Sequence, residues 1–229
     1  MSASHPQQWT IKVDIERPAP ELVEAFRAFA TTQIADCGGP VGVVGPDLHR
    51  LAGPGEVCGP AVTAWTKPGD ILFPLKATDH VRDGDVLVID SGGRRDAAVV
   101  GDIVGQAIAD VGCAGLVVDG AVRDVDGLDA TGLPTFARGT HPATGSNRGP
   151  GAINVPVQIG GVAVHPGDLV RADASGLVVV PREHLATVLE LTAAVAERET
   201  AWREAIAGGT SLPAATGIDR LLAELRPDR

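Results

Sequence analysis

Arg123 and Asp124 stand side by side just after an apolar run, Leu116-Val117-Val118-Asp119-Gly120-Ala121-Val122. Asp is a hard oxygen ligand suited to Mg2+ or Mn2+, and Arg offers a planar fork of donors that fits a carboxylate or an enolate oxygen. The same two residues also make an ordinary surface ion pair, and one carboxylate alone does not define a metal site. Upstream, Gly101-Asp102-Ile103-Val104 opens a helical pattern. The first N–H groups of a helix have no acceptor within it, so a small carboxylate can dock there, and Gly101 lets it approach the backbone closely. Asp102 has two readings, as the N-cap of that helix or as a carboxylate that holds a water beside a metal.

The remaining polar residues carry less. Asp90-Ser91-Gly92-Gly93 follows an apolar strand and has the composition of a plain turn. His49, His80, His141, His165 and His184 are scattered without HxH or HExxH spacing, which argues against zinc. No GxSxG elbow, P-loop or GxGxxG occurs, so the commonest hydrolase, NTPase and dinucleotide readings fall away. Cys37, Cys58 and Cys113 lie far apart, which speaks against a disulfide framework and for a reducing compartment.

Positioning those groups requires a scaffold, and the chain supplies a repetitive one. Short Val/Ile/Leu segments separated by Gly, Pro and Asp run from Val41 to Val164: VGVVG, GPAVTAW, GDVLVID, GLVVDG, LPTFARG and GGVAVHPGD. They read as strands joined by tight turns, with GLVVDG ending at Asp119-Gly120 and a loop presenting Arg123 and Asp124. The stretch GDIVGQAIADVG places Ile103, Val104, Ala107, Ile108 and Val111 at helical spacing, between GDVLVID and GLVVDG, so this part reads as βαβ. Leu22, Val23, Phe26, Phe29, Ala30 and Ile34 predict one amphipathic helix over Glu21 to Asp36. After GDLVRADASGLVVVP, two further strands, residues Glu183 to Ile206 are helical and Gly217 to Leu225 form a final short helix.

With 229 residues, 44% of them hydrophobic, the chain can bury a large core as a single domain over 1–229, with 183–229 as a helical extension. A net charge of -10 disfavours nucleic acid as principal partner. No apolar run approaches membrane-spanning length, and the N-terminus lacks the basic start and apolar core of a signal peptide, so a cytoplasmic protein is expected.

Taken together, GDVLVID, GDIVGQAIADVGCAGLVVDGAVRDVDGL, LPTFARGTHP and RGPGAINVPVQIGGVAVHPGDLVRADASGLVVVP resemble the 4-hydroxy-4-methyl-2-oxoglutarate / 4-carboxy-4-hydroxy-2-oxoadipate aldolases, whose fold is shared by the regulator of ribonuclease activity A. The resemblance covers about residues 20 to 205, and the joint occurrence of Gly101-Asp102, Asp119-Gly120 and Arg123-Asp124 is its most specific part. It implies an α/β fold, a β/β/α sandwich with an N-terminal helix and a C-terminal helical extension. It also implies a homotrimer or homohexamer with active sites between subunits, and a class II pyruvate aldolase acting on a small 2-oxo acid with Mg2+ or Mn2+. By that resemblance Gly101, Asp102, Ile103 and Val104 hold the pyruvate carboxylate, Arg123 binds substrate and Asp124 binds the metal. Asp102 positions a water, and Glu199 is an acidic residue contributed by a neighbouring subunit. Decarboxylation of oxaloacetate follows as a side activity of the same electron sink, and Arg148 in His141–Gly149 is a candidate for the substrate's distal carboxylate. The rival on the same fold is a non-enzymatic regulator that binds a ribonuclease or helicase; another is an aldolase or decarboxylase for a different 2-oxo acid.

Overall fold

The computed structural model describes residues 7–226; residues 1–6, where the sequence was read for a leader, and 227–229, the end of the helical extension, lie outside it. The elements in chain order are α1 (Pro20–Arg27), α2 (Thr31–Ala35), β1 (Gly42–Val43), β2 (His49–Ala52), β3 (Val57–Thr66), α3 (Leu72–Ala77), β4 (Val86–Asp90), β5 (Ala98–Val100) and α4 (Asp102–Ala109). They continue as β6 (Gly115–Val122), α5 (Val125–Ala130), β7 (Thr135–Thr140), β8 (Gly151–Ile153), β9 (Val157–Ile159), β10 (Val162–Val164), β11 (Leu169–Asp173), β12 (Gly176–Val180), α6 (Leu185–Ala207), α7 (Leu212–Thr216) and α8 (Ile218–Leu225).

Strand alternation builds the layers. In β4, Leu87 and Ile89 face one apolar cluster with residues of α3, α4 and α5, while Val86 and Val88 face a second cluster shared with β11 and β12. In β12, Leu177 and Val179 join that second cluster, and Val178 and Val180 join a third with Phe26, Ile34, Leu185 and Val188. Period-2 side-chain direction thus packs two sheet halves against each other, with α3 to α5 outside one and α1, α2 and α6 outside the other. The ten-residue β3 joins the halves. Val57 to Pro60 pair antiparallel with β11, and Ala61 to Trp65 pair parallel with β4. This is the expected mixed α/β sandwich with helices at both ends of the chain.

The βαβ reading holds, since β4 and β6 pair in parallel from Val86↔Gly115 to Asp90↔Asp119. Strand β6, however, does not end at Asp119-Gly120. It runs on to Val122 through an irregularity between Val118 and Ala121, because the Asp119 carboxylate is taken up inside the fold by Arg138 and by the Gly160 N–H at 2.7 Å. The N-terminal helix also differs from expectation, breaking into α1 and α2. At the break Arg171 Nε donates to the Phe29 carbonyl at 3.2 Å, and the Thr31 N–H and hydroxyl donate to the Asp173 carboxylate at 2.8 and 2.7 Å. Buried Arg171 and Asp173 claim backbone groups that a continuous helix would use, and a buried charge must be paired.

Candidate active site

Strands β5 and β6 run parallel and end together, with Ala98 opposite Ala121 and Val100 opposite Val122. Gly101 and α4 follow the first; Arg123, Asp124 and α5 follow the second. The Arg123 N–H donates to the Val100 carbonyl at 3.0 Å, tying the two ends to each other. Carboxyl ends of parallel strands are where α/β folds collect ligand-binding groups.

Gly101 is the N-cap of α4, with φ −136° and ψ −168°, an extended conformation open to any residue. Its missing side chain matters for another reason: a Cβ at 101 would lie 2.5 Å from Asp124 Oδ2 and 3.1 Å from Arg123 Cγ. Asp102 is therefore not the cap. It is the first residue of α4, its Oδ1 accepts from the adjacent Ile103 N–H at 2.8 Å, and its side chain lies against Gly127 of α5. Asp124 adopts a left-handed backbone, φ 54° and ψ 45°, immediately before α5. Its carboxylate lies 3.1 Å from Arg123 Nε, with the two side chains 43% and 38% exposed. A pair this exposed contributes at most about 1 kcal/mol, and a left-handed non-glycine residue costs of the same order, about 1 kcal/mol. The two offset each other, so stability does not account for the conformation. What it achieves is to hold the carboxylate across Gly101.

The sequence-predicted residues thus converge, Glu199 excepted. Ile71, Leu75, Ala98, Thr144 and Arg123 enclose a cavity of about 120 Å³ with the first turn of α4, Gly101 to Val104. Ile103 and Leu75 stand exposed at its rim. Glu199, on α6, accepts from Gln33 Nε2 at 2.9 Å and pairs with Arg203 at 3.0 Å within its own chain. Among the described residues no group of three or more His, Cys, Asp or Glu could hold a metal ion. A hard cation that keeps most of its waters needs only one or two carboxylates. Asp124 is such a carboxylate, partly exposed, with its Oδ2 against Arg123 Nε and over the bare Cα of Gly101.

Sequence reasoning missed the residue that builds the cavity wall. Asp70 is fully buried; one of its carboxylate oxygens accepts from the Ser146 hydroxyl and from the N–H groups of Arg148 and Gly149 at 2.8 and 3.0 Å, the other from the Leu72 N–H at 2.9 Å. Burial pushes its carboxyl up, but the bonds from Ser146, Leu72, Arg148 and Gly149 outweigh that and hold it below the usual carboxylate range. The effect is to clamp 146–149 onto the start of α3, beside Thr144 and Ile71 of the cavity. No local signal announces this role, since the partners lie 76 to 79 residues away. Arg148 itself leaves its side chain exposed. Asp90 makes the expected turn, accepting from the Gly92 N–H at 2.9 Å. The three cysteines are free, and burial pushes the Cys58 and Cys113 thiols up, away from reactivity. No helix of the described residues is long and apolar enough to cross a membrane.

Known proteins resemble this arrangement over most of its length. The family model described as RraA-like, Aldolase/RraA, matches residues 20–179. A protein of Halalkalibacterium halodurans named "Putative 4-hydroxy-4-methyl-2-oxoglutarate aldolase" is 39% identical over 170 residues, 74% of this chain and 81% of its own. Among solved structures, an uncharacterized protein from Pseudomonas syringae pv. tomato superposes with a TM-score of 0.77 at 30% identity, covering 88% of this chain and all of its own. Streptomyces coelicolor RraAS2, titled an unusual member of the RNase ES inhibitor RraA protein family, superposes with a TM-score of 0.72 at 31% identity, over 83% of this chain and 98% of its own. The chain belongs to the RraA-like family of aldolases and RraA proteins.

Proposed function

We propose that this chain is a divalent-metal-dependent lyase that cleaves 4-hydroxy-4-methyl-2-oxoglutarate or 4-carboxy-4-hydroxy-2-oxoadipate, releasing pyruvate and a second 2-oxo acid. The observation that carries the reading is the meeting at Gly101, where a helix start and an Arg-Asp pair face each other within a side chain's reach. A 2-oxo acid has its carboxylate and keto oxygen on adjacent carbons, and these two sides fit them. The first-turn N–H groups of α4 other than that of Ile103, which donates to Asp102 Oδ1, bind the carboxylate, aided by the helix dipole. Arg123 places a fixed positive charge where the keto oxygen gains negative charge as the C3–C4 bond breaks. Asp124 would hold Mg2+ or Mn2+, which when bound would supply Lewis-acid chemistry to this site. Asp102 orders a water that takes the proton from the C4 hydroxyl, and the same network returns a proton to C3 of the pyruvate product. The electron sink serves decarboxylation of oxaloacetate equally well.

The cavity, about 120 Å³, is smaller than the roughly 300–1,000 Å³ of enclosed ligand sites. The substrate's distal carboxylates extend past exposed Ile103 and Leu75, which supports a homotrimer or homohexamer in which a neighbouring copy closes the site with Glu199. A lactate-dehydrogenase-coupled assay with and without EDTA tests the reading. Wild type is expected to release pyruvate only without EDTA, and Asp124→Ala not at all while keeping its circular dichroism spectrum; full activity in that variant refutes the site. The likeness to RraAS2 favours a second reading, a regulator that binds a ribonuclease. Asp102 and the helices α6 to α8 favour the lyase, since a protein-binding surface has no need of a carboxylate beside a carboxylate-binding turn.

A further inference from the structure

Helix α5 carries a glycine that its own backbone does not require. Gly127 sits inside the helix with no left-handed φ, where alanine would form the better helix. A Cβ at that position would lie 2.7 Å from the Asp102 Cβ and 2.9 Å from Asp102 Oδ2. The relation is reciprocal: Gly101 of α4 receives the carboxylate at the start of α5, and Gly127 of α5 receives the carboxylate at the start of α4. The Asp102 carboxylate is thus bounded on two sides, with Oδ1 fixed by the Ile103 N–H and Oδ2 resting over the bare Cα of Gly127.

We infer that Gly127 is a positioning residue that sets where the Asp102 carboxylate stands, and so where the water that takes the substrate proton is held. This rests on the lyase reading above. A methyl group at 127 meets the Asp102 Cβ, which the backbone fixes, so it relieves the contact by displacing Asp102 together with the start of α4 relative to α5. The Asp102 carboxylate leaves its seat over Gly127, and the water that it orders moves with it.

The test is a double-mutant cycle of Gly127→Ala and Asp102→Asn, with kcat, KM and pH profile measured by pyruvate release from the full chain. Alone, Gly127→Ala is expected to lower kcat by about 10²-fold, the scale of an ångström-sized misplacement. In the Asp102→Asn background it is expected to change kcat by less than about twofold, because contacting residues couple. Equal losses in both backgrounds, or wild-type kcat in Gly127→Ala, overturn the inference. A second cycle is read by melting temperature and needs no activity, so failure of the lyase reading is told apart from failure of the inference. Asp102→Gly removes the Cβ that the new methyl meets, and it is expected to restore most of the melting temperature lost on Gly127→Ala. If Gly127→Ala does not fold, folding of Gly127→Ala/Asp102→Gly supports the contact. The same loss with and without the Asp102 side chain refutes it. Gly105→Ala, which would press on Leu128 in the same helix pair and not on Asp102, is expected to lower the melting temperature with no coupling to Asp102→Asn.

Discussion

Gly101→Ala separates stability from function at this site more sharply than the removal of any charged group. The backbone at 101 is extended and tolerates alanine, so no conformational strain enters. The new methyl would stand 2.5 Å from Asp124 Oδ2, some 0.9 Å inside the 3.4 Å at which ordinary contact begins. Arg123 and Asp124 are partly exposed and can yield, so the clash resolves by moving them and not by opening the core. Two smaller terms oppose each other. Alanine is a poorer N-cap than glycine, costing up to about 1 kcal/mol, and it restricts the unfolded chain, stabilising by about 0.4–1 kcal/mol. The net change in melting temperature is expected to stay within about 4 °C, the shift that 1 kcal/mol produces in a domain of this size. Displacing the Asp124 carboxylate by nearly an ångström, with Arg123 yielding by about 0.3 Å, is expected to lower kcat/KM for pyruvate release by about 10²-fold. Calorimetry and the coupled assay on one preparation decide the matter. Wild-type kcat/KM together with a wild-type melting temperature would refute the claim that the start of α4 and the Arg123-Asp124 pair form one site.

Other variants report on other parts of the site. Arg123→Ala removes the charge proposed to stabilise the transition state and is expected to lower kcat by about 10²-fold or more; a near-normal rate makes Arg123 a surface residue. Among the described residues Glu199 is bonded to half-buried Gln33 and to exposed Arg203, so Glu199→Ala is expected to lower the melting temperature only slightly and to lower turnover. Wild-type turnover would remove Glu199 from the site. Asp70→Ala leaves the buried Gly149 N–H and its neighbours without their acceptor, and about 3 kcal/mol of stability is expected to go with it, measured by urea titration. Because the folded-state pKa of Asp70 is lowered, its contribution is present above the unfolded carboxylate value near 3.9 and is lost as pH falls through the folded value. Wild type should therefore lose more stability than Asp70→Ala on acidification below about pH 4, and parallel losses would refute the role given to Asp70.

Much of this was legible in the residues. The runs that became β4 and the first part of β6 are apolar and bounded by Gly and Asp, the pattern of strands buried on both faces; β4 matches its run, while β6 continues past Asp119-Gly120 to Val122. Helix α4 was legible from its 3.6-residue rhythm, though the cap fell one residue early, on Gly101, since Gly and Asp are both acceptable there and only packing against Asp124 decides between them. The split of the N-terminal helix was not legible, because the groups that break it, Arg171 and Asp173, arrive from strand β11.

The sequence by itself determined the alternation of strand and helix, the apolar layers and the identity of the groups proposed to bind a 2-oxo acid, because these depend on side-chain type and on periods of two and 3.6 residues. Tertiary structure alone decided that Gly101 faces Asp124, that Gly127 seats Asp102 and that Asp70 clamps a segment 76 to 79 residues away. Each of those is a contact between elements brought together by strand pairing, parallel for β5 with β6 and antiparallel for β3 with β8. Spacing along the chain carries no information about it, since the cost of closing a loop rises only slowly with its length and many partners were open to each residue before the sheet formed.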